Sequence, residues 1–420
     1  MSMFKNFNSK LFGIAPIFFC HYLFSVKDTP LGKIDLSASL TGIYDSRVFG
    51  VSSNMFNISR SGANPKIPSN ELESEDDFIL KFSPAVHLSK KVSLLKLSGS
   101  AGVEIAQYVK NSDKSYVIPI TSIILDFDDT LSKRKRISNN AKIRFDATFD
   151  VGQHVGASVL EQDLVSYTYF TTGINLRYNH SAKFGIGGGT NYTYQDYQSG
   201  STAPRLYSDL SSLPLHARAF YIYSEKLDLF SEYSYTRSQA HNNRGGKSLA
   251  DSVSNSLSFG ANGQMSPKLS GTASIGYSHL SFDNSQFESQ QTIISSISLD
   301  WKYNDKTSSR LFINRNFSPS AQGFSNLSTF SRLTIDHRFV EDLRGSFYLS
   351  AGHSEYSYPD AKDSAKGETS SFNSYGFGFE VTKKISKSLS TSGGYDYSFV
   401  DRDLDNFSRH VLQVQLFGRF

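Results

Sequence analysis

Apolar and polar residues alternate with a period of two along almost the whole of this 420-residue chain. Side chains of a β-strand point alternately to its two faces, so each such stretch is a ribbon with one oily and one wet side. Leu36, Ala38 and Leu40 alternate with Asp35, Ser37, Ser39 and Thr41. Phe78, Leu80, Phe82, Val86 and Leu88 share one face. Ile143, Phe145, Ala147, Phe149 and Val151 oppose Lys142, Arg144, Asp146, Thr148 and Asp150, and Ile293, Ile297, Leu299 and Trp301 oppose Ser296, Ser298, Asp300 and Lys302. Leu412, Val414, Leu416 and Phe420 alternate with Gln413, Gln415 and Arg419. A helix would need a period of 3.6, and no stretch beyond the amino-terminal segment shows one.

The connectors repeat as well. Short turns place a lysine just before the next strand, as in Ser89-Lys90-Lys91, Ser224-Glu-Lys226, Ser266-Pro-Lys268, Asn304-Asp-Lys306 and Ile385-Ser-Lys387. Longer polar segments at 198–212, 239–251, 283–289 and 359–369 separate them. Short turns at one end and long loops at the other are the wiring of a bacterial outer-membrane barrel. The pattern predicts strands near 33–44, 76–88, 91–109, 117–130, 140–151, 165–180, 183–198, 213–224, 226–238, 252–264, 268–282, 290–303, 306–317, 327–339, 343–358, 371–384, 388–400 and 408–420. The expected fold is therefore all-β: a transmembrane antiparallel up-and-down barrel of about 18 strands (16–18), with short periplasmic turns and long outer loops. A propeller or solenoid would also give a regular period, but not this strict exchange of long and short connectors.

Composition agrees once the wet faces are counted. A mean hydropathy of −0.34 looks soluble, yet half of every barrel strand faces water. A net charge of +4 is far from a nucleic-acid-binding excess, so no nucleic-acid partner is expected. Lys5 and Lys10 precede an apolar run containing Phe18, Phe19 and Leu23, which reads as a secretory signal peptide over 1–27 ahead of one barrel domain over 28–420. The single cysteine, Cys20, falls inside that run. Aromatic residues fall at both strand ends: Tyr192, Tyr194, Tyr233, Tyr235, Tyr397 and Phe399 near the loops, and Tyr221, Tyr223, Trp301, Tyr303 and Phe339 near the turns. Two such belts suit the two membrane interfaces.

Three constellations could carry function. Ile123-Ile-Leu-Asp-Phe-Asp-Asp-Thr-Leu131 resembles the first motif of haloacid-dehalogenase-type phosphatases, with Asp126 as nucleophile and Asp128 as general acid. That family needs alternating strands and helices, so the segment reads instead as a strand end entering the basic turn Lys133-Arg-Lys-Arg136. Second, Arg177, Lys302, Arg310, Arg338 and Arg344 lie close to short turns on wet faces, and Arg218, Asp228, Glu232, Asp300, Arg332 and Asp336 share those faces. Together these eleven are the candidate pore-lining residues. The first five would ring the periplasmic mouth, where a ring of one sign selects permeants. Alternatively, acids and bases pair and merely brace the lumen. Third, Glu71, Glu73, Glu75, Asp76 and Asp77, and Asp401, Asp403 and Asp405, form acidic loop clusters that calcium or lipopolysaccharide-bridging ions could use, or that are simply solvated. No zinc spacing, phosphate loop or nucleophile elbow occurs. Hence no catalytic residue, metal site or cofactor is expected, and the chain is not expected to be an enzyme.

Tyr44-Asp-Ser-Arg-Val-Phe-Gly50, followed at 76–86 by Asp-Asp-Phe-Ile-Leu-Lys-Phe-Ser-Pro-Ala-Val, resembles the opening of the β-barrel porin-2 type of outer-membrane protein, which usually has Asn where Arg47 stands. Such proteins often accompany exopolysaccharide export systems. The terminal Phe420 resembles the assembly signal of outer-membrane barrels. These resemblances imply a pore in the bacterial outer membrane for passive passage or export of solutes or polysaccharide. Implied partners are outer-membrane lipid and lipopolysaccharide, the barrel assembly machinery and polysaccharide export components. The alternative is a non-conducting structural or adhesive barrel whose loops bind surface partners. The loop from Asp45 to Asp76 fits either, folding inward as a constriction or outward as a binding surface.

Overall fold

The alternating segments pair in sequence order into one antiparallel sheet that closes on itself. The computed structural model describes residues 27–29, 32–50, 52–53, 72–128, 142–158, 163–197, 208–241, 251–283, 289–319, 325–357, 369–402 and 406–420. The expected signal peptide, apart from its last residue Lys27, and the basic turn 133–136 lie outside these residues, as do Glu71, Asp403 and Asp405. The strands are β1 (Lys27–Thr29), β2 (Gly32–Asp45), β3 (Asp77–Val92), β4 (Leu95–Tyr108), β5 (Tyr116–Asp128), β6 (Lys142–Ser158), β7 (Asp163–Asn179), β8 (Phe184–Tyr197), β9 (Asp209–Ser224), β10 (Leu227–His241), β11 (Ser252–Ser266), β12 (Leu269–Phe282), β13 (Gln290–Lys302), β14 (Thr307–Pro319), β15 (Ser325–Val340), β16 (Leu343–Ser357), β17 (Thr369–Lys384), β18 (Leu389–Arg402) and β19 (Phe407–Arg419). β1 is a short antiparallel addition to β2. The other eighteen form a closed antiparallel barrel.

Closure is made by β19 lying beside β2, with Leu412 opposite Tyr44 and Arg419 opposite Ser37. Phe420 extends the ladder: its N–H donates to Leu36 O at 2.7 Å, and its carbonyl accepts from Leu36 N at 2.8 Å. A closed barrel leaves no unpaired edge, which the hydrocarbon of a membrane requires.

Register decides which face meets lipid. Ile143 pairs with Tyr178, Phe145 with Leu176, Leu257 with Tyr277 and Leu333 with Leu349, so the apolar faces of neighbouring strands line up. Phe184, Ile186, Phe259, Ile275, Ile293 and Val414 are each more than half exposed, which suits a lipid-facing surface. Trp301 stacks on Tyr303 at 5.5 Å near the turns, and Phe377 and Tyr397 are 5.2 Å apart on the outer face.

The strands run longer than their patterns suggested at several points. Lys90 and Lys91 were expected in a turn, but β3 continues through them to Val92 and the turn is Ser93–Leu94, with Ser93 in the left-handed region (φ 55). The two lysines keep the in–out alternation, so nothing obliges the chain to turn there. β9 begins at Asp209, not 213, because the buried Asp209 carboxylate caps the end of β8, accepting from Tyr197 N at 2.9 Å. β10 runs on to His241, whose ring is 2.8 Å from the Ser211 hydroxyl of β9. Asp126 and Asp128 both lie in β5, with Asp126 opposite Lys96 of β4 and Asp146 of β6; the motif beyond Asp128 lies outside the described residues. No helix follows it within the described residues.

Candidate functional site: the lumen wall and its two mouths

The inner wall is built from charges that neutralise one another along the wall. At the closing seam, Arg409 forks onto Asp45 (2.9 and 2.5 Å), Gln415 Nε2 donates to Thr41 at 3.1 Å and Arg419 donates to Asp35 at 2.8 Å. On β3 to β5, Glu104 accepts from Lys81 at 3.2 Å and from the Tyr116 hydroxyl at 2.8 Å. Asn175 donates to Asp146 at 2.8 Å.

Two contacts pass over intervening strands, two in the first case and one in the second, which side chains on neighbouring positions would normally block. Arg177 of β7 reaches Asp228 of β10 at 2.6 Å. It can do so because the inward positions of β8 are Gly185, Gly187 and Gly189, and its guanidinium lies 4.2 Å from the Phe220 ring centre on β9. Tyr348 of β16 donates to Asp396 of β18 across Gly378 of β17, and all three stand in one register row. A Cβ on Gly378 would sit 2.8 Å from the phenol Cζ, so this position has to lack a side chain. Arg332 completes the group, its guanidinium 3.6 Å from the Tyr348 ring centre. Such a contact joins charge to the ring's negative face.

The loop end is narrowed from within. Val48, at the start of the β2–β3 connection, is 1% exposed and packs with Leu72 and with Ile79, Ala106 and Tyr108 from the inner faces of β3 and β4. The turn Val48–Gly50 lies beside β6 and β7, beyond β4 and β5, so the described base of this connection folds inward across the wall. Its two ends are clasped together. Arg47 pairs with Glu75 and Ser53, Ser53 donates to Glu75 at 2.9 Å, and Val48 N donates to Glu75 O at 2.7 Å.

A second latch holds the returning limb. Asp77 and Asn111 are both 0% exposed. Asp77 Oδ1 accepts from Phe78 N, Val109 N and Lys110 N (2.7–2.9 Å), and Oδ2 accepts from Asn111 N and Nδ2 (2.8 and 2.9 Å). Asn111 Oδ1 in turn accepts from Glu73 N and Ser74 N at 2.8 and 3.1 Å. Beside it, Lys110 Nζ holds both oxygens of Asp76 at 2.7 Å. That hydrogen-bonded ammonium keeps the Asp76 carboxyl below the usual aspartate range and raises the lysine in turn. The expected acidic loop cluster is therefore not a free cation site: Glu75, Asp76 and Asp77 are each bonded to protein groups. Among the described residues, no cluster of three His, Cys, Asp or Glu side chains is arranged to hold a metal ion.

At the turn end, the eleven singled-out residues all stand on the face opposite the apolar one, but the five basic residues do not form a uniform ring. Arg177 is neutralised by Asp228, and Arg310 by Asp300 at 2.7 Å. Higher up, Arg218 pairs with Glu232 and lies 4.3 Å from the Phe230 ring centre. What remains is an arc on β13 to β16: Lys302, Asp336, Arg338 and Arg344 border a concavity of about 830 Å³. Asp45, Arg47 and Val48 stood out in the sequence only through the resemblance at 44–50, with no role given to them; Asn111, Tyr348, Asp396 and Arg409 were not singled out as site residues at all. Asp77 was readable, since it is in phase with Ile79 on the inner face of β3.

A closed barrel of eighteen strands, apolar outside and charge-paired inside, is a porin-type barrel of the bacterial outer membrane. Residues 61–420 match the sequence profile described as Putative beta-barrel porin 2, and the chain belongs to that family. The match includes the segment 76–86 but begins after 44–50. No curated protein matches the chain by sequence. Among solved structures it is similar to OpdO of Pseudomonas aeruginosa (11% identity, 92% of this chain and 97% of that one, TM-score 0.45). It is also similar to OccK5 (OpdH) of the same organism (9%, 92% and 98%, TM-score 0.44) and to the FrpB iron transporter of Neisseria meningitidis (9%, 88% and 62%, TM-score 0.47). At such identities the likeness concerns barrel architecture alone.

Proposed function

We propose that the protein is a passive outer-membrane pore, narrowed at its loop end by the inward-folded base of the β2–β3 connection. The observation that supports it is the inner wall. Eighteen strands enclose more space than side chains fill, and porins of this size leave an aqueous channel. Here the wall turns paired charges and hydroxyls inward, groups that water solvates and that have no reason to face a dry core. Passage needs no chemistry; radius and lining charge select the solute. Small polar solutes are the proposed cargo. Export of a polysaccharide, together with contact to export components, rests on the family resemblance only.

The inward clasp also favours a second reading, a barrel held shut whose loops act as a binding surface. Single-channel conductance of the refolded protein in a planar bilayer decides between them, with folding checked by heat-dependent gel mobility. Stable, ohmic conductance is the expected outcome. A folded but silent protein would overturn the pore reading in favour of the second.

A further inference from the structure

We propose that the turn-end concavity on β13 to β16 is an anion-binding vestibule for solutes carrying two or more carboxylates. It is lined by five cations, Lys268, Lys302, Lys306, Arg338 and Arg344, against three carboxylates, Asp305, Asp336 and Glu380. The balance matters less than the pairing. Elsewhere on the wall basic groups find acids: Arg177 with Asp228, Arg218 with Glu232, Arg310 with Asp300, Arg409 with Asp45. Here the side chains of Lys302, Lys306 and Arg344 meet no hydrogen-bond or ionic partner among the described residues, and Arg338 has only the Asp305 carbonyl at 3.0 Å.

Register explains why the cations stay uncompensated. Arg338 and Arg344 stand directly opposite one another on β15 and β16. Like charges in that position repel, and neither arginine forms an ion pair among the described residues. One row further in run Lys302, Ser308, Asp336 and Ser346 on four successive strands. Two serines in that row leave the hollow, with Lys302 at one side and the two arginines at the other. Guanidinium groups bind carboxylates through paired N–H donors and ammonium groups bind them as point charges, so a ligand with separated carboxylates can engage both sides. By the wiring of such barrels this end faces the periplasm, which makes the vestibule the first or last contact of a permeant.

The inference deepens the pore reading by naming its solute class, and its test does not depend on conduction. Citrate and a galacturonic-acid trimer are titrated by calorimetry into the refolded barrel in non-ionic detergent. The proteins are the wild type, Lys302→Gln, Arg344→Gln, the double variant and a control, Lys226→Gln, whose turn lies outside the concavity. Expected is saturable binding of at least one probe. Binding should be at least tenfold weaker in the double variant, intermediate in each single one, unchanged in the control, and weaker at high salt as screening shortens the reach of the charges. Binding of citrate alone assigns a small-anion site, and preference for the trimer assigns a saccharide site. No binding by a folded wild type, or binding that the double variant retains, overturns the vestibule, even if the channel conducts. Binding with a silent channel keeps the vestibule and overturns the pore.

Discussion

Removing the Asp77 carboxylate should unlatch the loop end without unfolding the barrel. Five donors converge on its two oxygens, four of them backbone amides. A hydrogen bond to a charged group contributes about 1.5–3 kcal/mol net, and a buried donor left without a partner costs a comparable amount. The five share one acceptor group, so they do not add. About 3–4 kcal/mol of local stability is a reasonable total for Asp77→Ala. Since about 1.4 kcal/mol is a factor of ten, the open population should rise between one-hundredfold and one-thousandfold. The strand ladders on either side are untouched, so the opening stays local. The assay is amide hydrogen exchange at Val109, Lys110 and Asn111 in the folded barrel, with gel mobility to confirm that the barrel is intact. Asp77→Asn keeps one acceptor oxygen for the three amides on Oδ1 and should lose less than half as much. Exchange within twofold of the wild type in Asp77→Ala would refute the reasoning, because the latch would then be held by something other than this carboxylate.

Gly378→Ala should destabilise the wall by about 2–4 kcal/mol in chemical denaturation, by displacing the Tyr348 phenol from Asp396 and from beneath Arg332. The same substitution should cost almost nothing in a Tyr348→Ala background, and an equal cost in both backgrounds would sink the crossing-phenol account. Asp45→Ala leaves Arg409 without its partner at the seam, and loss of one member of a buried pair costs about 3–5 kcal/mol, read as a lower heat-modifiability midpoint on gels. Acidification should loosen the Lys110–Asp76 tie. Its depressed carboxyl contributes stability above the ordinary aspartate range, lost as pH falls through the folded value. The raised lysine contributes stability at neutral pH, lost as pH rises through its own folded value. Protease nicking of the 72–76 limb as a function of pH checks both ends, and a flat profile would contradict the assignment.

How much of this was legible beforehand follows from the range of each interaction. Alternation is local, so all eighteen barrel strands, their order and their lipid faces could be read from it. Strand ends could not, because they are set by single groups on a neighbour: Asp209 caps β8, and His241 meets Ser211. The inner face of each charged residue was readable from phase, but its partner was not. Arg177 finds Asp228 only because two strands intervene and one presents glycine, a fact of register that no period encodes. Of the five basic residues expected at the mouth, Arg177 and Arg310 pair with Asp228 and Asp300, and the cations without an ionic partner among the described residues gather in one sector. Tyr44-Asp-Ser-Arg47 drew attention through resemblance, and in the structure Asp45 and Arg47 hold the seam and the clasp respectively.

The seam between β2 and β19 carries a consequence for how the chain can reach this state. Every other neighbouring pair of strands in the barrel is consecutive in sequence and can zip from its own connection. The partners Asp45 and Arg409 are 364 residues apart along the chain. Closing so long a loop unaided is entropically the least favourable step available, though the cost grows only as the logarithm of length. A finished wall of seventeen hairpin-linked junctions removes most of that cost, because it curves the two terminal strands toward each other before they touch. The barrel should therefore close last and all at once, and until then it is an open sheet with two sticky margins, at risk of joining a neighbour's instead of its own.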